Sequence, residues 1–90
     1  VSADVDCDRA ARYIMTAKLR HAGQCSRAVD HVLVADACAE AFVAAARDHG
    51  ARILADQTGY PAIVNQLHHE RLCALLADAE SRGARRVPLV

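Results

Sequence analysis

Ninety residues with a mass of 9.7 kDa bound the chain at one small domain or a piece of one, since single domains usually run to roughly 100 to 150 residues. Although 53% of the residues are apolar, 20 are Ala and only Tyr13, Phe42 and Tyr60 are aromatic; such a core is thin, and its stability is marginal without a partner surface. Eleven basic residues cancel eleven acidic ones, which leaves no cationic field to draw in a nucleic acid or an anionic membrane. No apolar run approaches the roughly 18 residues needed to span a bilayer, and no basic, apolar, small-residue order marks an export signal. The expectation is a cytoplasmic chain, and a start at Val1 rather than Met reads as a segment of something larger.

In chain order, Cys7, Ala10, Ala11, Ile14, Met15 and Ala22 keep the i, i+3, i+4 rhythm of a helix from about residue 6 to 22. Asp6 and Asp8 suit its positive end, Lys18, Arg20 and His21 its negative end, and Gly23 supplies the stop. Residues 28–34 (Ala-Val-Asp-His-Val-Leu-Val) form a β-branched run too short for a helix and read as a buried strand. Asp36 caps a second helix carrying Cys38, Ala41, Phe42, Ala45 and Ala46, with Gly50 as its stop. Asp56 to Pro61 is turn chemistry. A third helix begins near Ile63 to Asn65, runs to about Arg82 with Leu72, Leu75, Leu76 and Ala79 on one face, and ends at Gly83; Arg85 to Val90 reads as a last strand. The predicted class is α/β in the order α-β-α-α-β. Two strands do not make a sheet, so the pattern reads as part of a larger layered α/β domain.

Four cysteines without a CxxC pair read as reduced thiols. Cys7, Cys38 and Cys73 fall on apolar helical faces and are expected to be buried; Cys25 is out of step with every such face. Gly23-Gln24-Cys25-Ser26 joins a helix end to a strand start, where a glycine permits a tight turn and backbone N–H groups can point at an oxyanion. Cys25 is therefore read as either a nucleophile or an ordinary loop cysteine. His69 and Cys73 share a helix face at i, i+4 but lack a third ligand, so no metal site is assigned. Asp4, Asp6 and Asp8 alternate as in a calcium loop without its glycine or closing Glu, and read as helix caps. No GxGxxG or phosphate-binding loop is present.

The string from Lys18 to Val34 (KLRHAGQCSRAVDHVLV) resembles the catalytic-cysteine segment of the aldehyde dehydrogenase superfamily, in which Asn-Ala-Gly-Gln-x-Cys follows a helix and precedes a strand. Ala3 to Asp6, Glu40 to Arg47, and Tyr60-Pro61-Ala62-Ile63-Val64-Asn65 with His69, Arg71 and Leu72 are similar to flanking stretches, and the Ile-Val-Asn element with Gly83-Ala84-Arg85 looks most like the coniferyl aldehyde dehydrogenase branch. The resemblance implies that residues 1–90 are a partial catalytic domain containing the nucleophile loop. It also implies an aldehyde substrate, a cysteine thioester and NAD or NADP, whose binding residues lie mostly outside this chain.

The ungapped register puts Ser26 at the nucleophile position and Cys25 one residue before it, with His21 where the family has Asn and Val29 where Pro is common. Cys25 and Ser26 are thus the two candidate catalytic residues. A displaced thiol, with no general-base Glu and no cofactor residues, implies that the chain does not turn over aldehyde alone and needs the rest of the domain or an oligomer partner. The alternative from another class is a small α-rich interaction module or pseudoenzyme remnant; a third is a thiol redox role for Cys25.

Overall fold

Asp6 opens the first helix by accepting the Arg9 N–H at 3.2 Å, which satisfies one of the four backbone donors a helix leaves free at its start. The computed structural model describes residues 1–56 and 60–89. Helix α1 spans Cys7–Lys18, α2 spans Ala39–Ala55 and α3 spans Gln66–Ser81; short 3₁₀ turns lie at Arg20–Gly23 and Asp36–Cys38. Asn65 caps α3 by accepting the His68 N–H at 2.9 Å.

The expected strands are absent. Among the described residues there is no β-strand, so the chain is three helices joined by irregular segments rather than α-β-α-α-β. The β-branched run at 28–34 has side chains that favour a sheet but no neighbouring strand to complete a ladder. Its end is held instead by the N-terminal residue, whose amine donates to Leu33 O at 2.6 Å and whose carbonyl accepts the Ala35 N–H at 2.9 Å. Leu33, expected to be buried, is 81% exposed. The predicted strand at the C-terminus is also irregular over its described residues, and Val90 lies outside them, as do residues 57–59 of the turn expected at 56–61.

Helix α1 stops at Lys18 rather than 22, because His21, Ala22 and Gly23 turn left-handed with φ of 49°, 57° and 77°. Helix α2, by contrast, runs through its expected stop. Gly50 is buried inside it, and a Cβ there would sit 2.9 Å from Leu89 Cδ2 and 3.0 Å from Met15 Cε. The glycine serves close approach, not termination. Phe42, Cys38 and Ala11 are the buried apolar residues of the α1–α2 pair, and Val87 and Leu89 return across it.

Helix α3 keeps its expected face, but among the described residues that face is only partly covered: Leu72 and Ala79 are half-buried, Leu75 and Leu76 about half exposed, and Cys73, expected buried, is exposed. The radius of gyration is 14.0 Å, against roughly 12 Å for a compact domain of this length. The accessible surface of 6796 Å² is about a third more than a folded monomer of this mass presents. The thin core expected from composition is what the fold contains.

Candidate nucleophile loop

Left-handed backbone at two consecutive non-glycine residues, His21 and Ala22, costs about 1–2 kcal/mol per residue, so neighbouring structure must hold the turn in place. Gln24 holds it. Its side-chain Nε2 donates to His21 O at 3.0 Å and to Ala62 O at 3.1 Å, while its Oε1 accepts the Val64 N–H at 2.8 Å. The Tyr60 hydroxyl donates to Leu19 O at 2.6 Å and ties the same two segments one step further along. At roughly 1 kcal/mol net per bond, four bonds are of the same size as the strain they oppose.

Cys25 and Ser26 follow in a turn closed by the Ala28 N–H on Cys25 O at 2.9 Å, and both are exposed. Cys25 lines a surface groove of about 360 Å³ together with Tyr13, Thr16, Arg20 and Arg27; Ser26 does not line it. The guanidiniums of Arg20 and Arg27 give that groove a positive rim. The backbone N–H of Gln24 is occupied by His21 O at 3.1 Å. Three of the five histidines have other partners: His49 bonds Asp8 at 2.8 Å, His31 sits 3.9 Å from Asp30, and His69 lies 3.9 Å from the Cys73 thiol.

The remaining candidates separate. Among the described residues no three His, Cys, Asp or Glu side chains form a group able to hold a metal. The three N-terminal aspartates point three ways: Asp4 accepts from Ser2 Oγ at 2.6 Å, which lowers its pKa, Asp6 caps α1, and Asp8 meets His49. Partial burial pushes the Cys7 thiol up, and the neighbouring Cys38 thiol adds to that. All four cysteines are unpaired. A separate hollow of about 400 Å³ between α2 and residues 85–88 holds no cysteine. Sequence reasoning missed the roles of Gln24 and Tyr60, because their partners lie about 40 residues away and no local pattern marks them.

The two stretches joined by Gln24, residues 18–34 and 60–72, are those that carry the family resemblance, and the model of the aldehyde dehydrogenase family matches residues 1–88. The chain belongs to the aldehyde dehydrogenase family. It is 34% identical over 92 aligned residues to the "Probable coniferyl aldehyde dehydrogenase" of Caulobacter vibrioides and 33% identical to the coniferyl aldehyde dehydrogenase of a Pseudomonas species, covering 99% of this chain in each case. It spans 19% of the length of each of these relatives. No solved structure matches it.

Proposed function

We propose that this chain is the nucleophile-loop portion of the catalytic domain of an NAD(P)-dependent aldehyde dehydrogenase, which oxidises an aldehyde to a carboxylic acid through a cysteine thioester, and that alone it is inactive. What supports the reading is Cys25 lining an open groove at the end of a braced turn while Ser26 stays outside it. Cys25 is accordingly the nucleophile candidate. Its thiolate adds to the carbonyl carbon, a C–S bond forms, and the C=O π pair moves to oxygen. A serine hydroxyl without an adjacent base is a far weaker nucleophile at neutral pH.

The described residues do not fit a dinucleotide. Gly23 leads into a turn, Gly50 lies inside α2 and Gly83 follows α3, so none opens onto a helix N-terminus that would cradle a pyrophosphate. On this reading NAD or NADP and the general base are held by residues outside the chain. A cytoplasmic setting, where thiols stay reduced, and further polypeptide over the α3 leucines belong to the same proposal.

The names of the relatives make coniferyl aldehyde the first ligand to try. The purified chain is alkylated with iodoacetamide, with and without the aldehyde, and each cysteine is followed by peptide mass spectrometry. Addition to Cys25 slows its alkylation while leaving the exposed Cys73 unchanged, and no carboxylic acid forms with NAD⁺ or NADP⁺. Equal behaviour of Cys25 and Cys73 would refute the assignment of Cys25, and acid formation would refute inactivity. The excess surface and exposed leucines also favour a second reading, an α-rich interaction module. Sedimentation as a stable monomer that binds no apolar dye refutes that one.

A further inference from the structure

The brace at Gln24 has a role beyond the thiol. We infer that Gln24 is a positioning residue for the nucleophile loop, fixing the backbone that carries Cys25 by tying the local turn at His21 to the distant Ala62 and Val64. This rests on reading 23–26 as the nucleophile loop. The side-chain amide uses both its protons and its oxygen: the protons on His21 O and Ala62 O, the oxygen on the Val64 N–H. It therefore acts as a short stand-in for a strand, bonding one face of a backbone segment that has no ladder of its own.

Three features make this more than a surface hydrogen bond. The turn it braces contains two non-glycine left-handed residues, which return to ordinary backbone once released. The segment it grips is itself anchored at both ends, by Tyr60 on Leu19 and by Asn65 capping α3. The gripping residue is also covalently next to Cys25, so a shift of its backbone is passed directly to the backbone that carries the thiol.

The charge requirement supplies the test. Two carbonyl oxygens at 3.0 and 3.1 Å face Nε2, so a carboxylate there is repelled, whereas a neutral carboxylic acid can donate to one carbonyl and accept the Val64 N–H with its other oxygen. Gln24→Glu and Gln24→Ala are made in the 90-residue chain, and amide exchange and backbone shifts are followed by NMR across pH. In the unmodified chain the Val64 amide is protected. In Gln24→Ala that protection falls about fivefold or more, the scale of one neutral hydrogen bond, and the Cys25 and Ser26 amide signals move while those of α1 and α2 stay. Gln24→Glu matches Gln24→Ala at neutral pH, titrates at a higher pH than a solvated glutamate because two carbonyl oxygens face it, and returns toward the unmodified shifts below its midpoint.

Equal Val64 exchange in the unmodified chain and Gln24→Ala, static Cys25 and Ser26 signals, or a carboxyl titration in Gln24→Glu indistinguishable from that of a solvated glutamate each overturn the inference. Should Gln24→Ala unfold the α1–α2 pair, recovery of Gln24→Glu on acidification still decides it. None of these readouts needs aldehyde chemistry, so a failed nucleophile assignment and a failed brace are separately visible.

Discussion

Replacing Gly50 by Ala tests whether the C-terminal segment belongs to the core. In a helix interior the exchange gains about 1 kcal/mol from propensity alone. The added Cβ, however, meets Leu89 Cδ2 at 2.9 Å, Met15 Cε at 3.0 Å and Leu89 Cδ1 at 3.1 Å. These are ends of flexible side chains, so one of them yields. Met15 sits on α1, which is held by the packing of Ala11 and Phe42, while Leu89 lies in a segment outside any helix. Leu89 is therefore the group displaced, and re-exposing a half-buried leucine costs about 1 kcal/mol, half of full burial.

The two effects cancel, and Gly50→Ala is expected to change stability by less than about 0.5 kcal/mol. In a Leu89→Ala background the clash is largely gone. There the same exchange stabilises by about 1 kcal/mol, or roughly 4–8 °C in Tm for a chain of this size. Urea unfolding followed by circular dichroism at 222 nm gives all four corners of the cycle, whose coupling energy is expected at about 1 kcal/mol, within the range for residues in contact. Equal gains in both backgrounds would mean that Leu89 does not pack on Gly50, and the close-approach account of that glycine would fail.

Thiol reactivity with iodoacetamide at fixed pH is expected to place exposed Cys25 and Cys73 ahead of Cys7, with buried Cys38 slowest; Cys73 reacting as slowly as Cys38 would show that α3 is covered. Because the Cys7 pKa is raised in the folded chain, its contribution to stability is complete below the unfolded thiol pKa and is lost as pH rises through the folded one, so urea midpoints fall on the alkaline side and fall less in Cys7→Ala. Asp4 has the opposite sign. Its pKa is lowered by the Ser2 hydroxyl, so its contribution is present above the unfolded carboxylate pKa and lost on acidification through the folded one. Ser2→Ala moves the Asp4 carboxyl titration upward, and an unmoved titration would exclude that hydrogen bond.

Helical spacing gave the existence of all three helices and the partial or full burial of Ala11, Met15, Cys38 and Phe42. It also singled out Cys25 as the cysteine outside the apolar faces, and that thiol is exposed in a turn. The errors share one physical cause, which is that local pattern describes a face and not what covers it. The β-branched run at 28–34 has strand chemistry but no partner strand. Leu75, Leu76 and Cys73 keep the rhythm of a buried face, yet among the described residues they stand exposed. Gly50 reads as a stop because its reason for being glycine, Leu89, is 39 positions away. Periodicity that resumes at Ile53 and Leu54 is the local signal that the helix continues.

The brace at Gln24 also bears on our proposal for this loop, in which the family resemblance sets Ser26 at the nucleophile position and Cys25 one residue before it. A loop free to slide could bring a displaced thiol back into register. Sliding this loop by one residue would break the bonds to His21, Ala62 and Val64 together. It would also move the left-handed φ of 77° from Gly23 onto a residue with a side chain. One residue along the chain is about 3.8 Å, and a shift of about 1 Å in a reacting group can cost 100-fold in rate. Repair by sliding is therefore disfavoured on both backbone and hydrogen-bond grounds. Any thiol chemistry in this loop has to come from Cys25 where it stands, in the groove beside Arg20 and Arg27. Aldehyde protection of that single thiol is accordingly more informative about the family's chemistry here than substitution of Ser26.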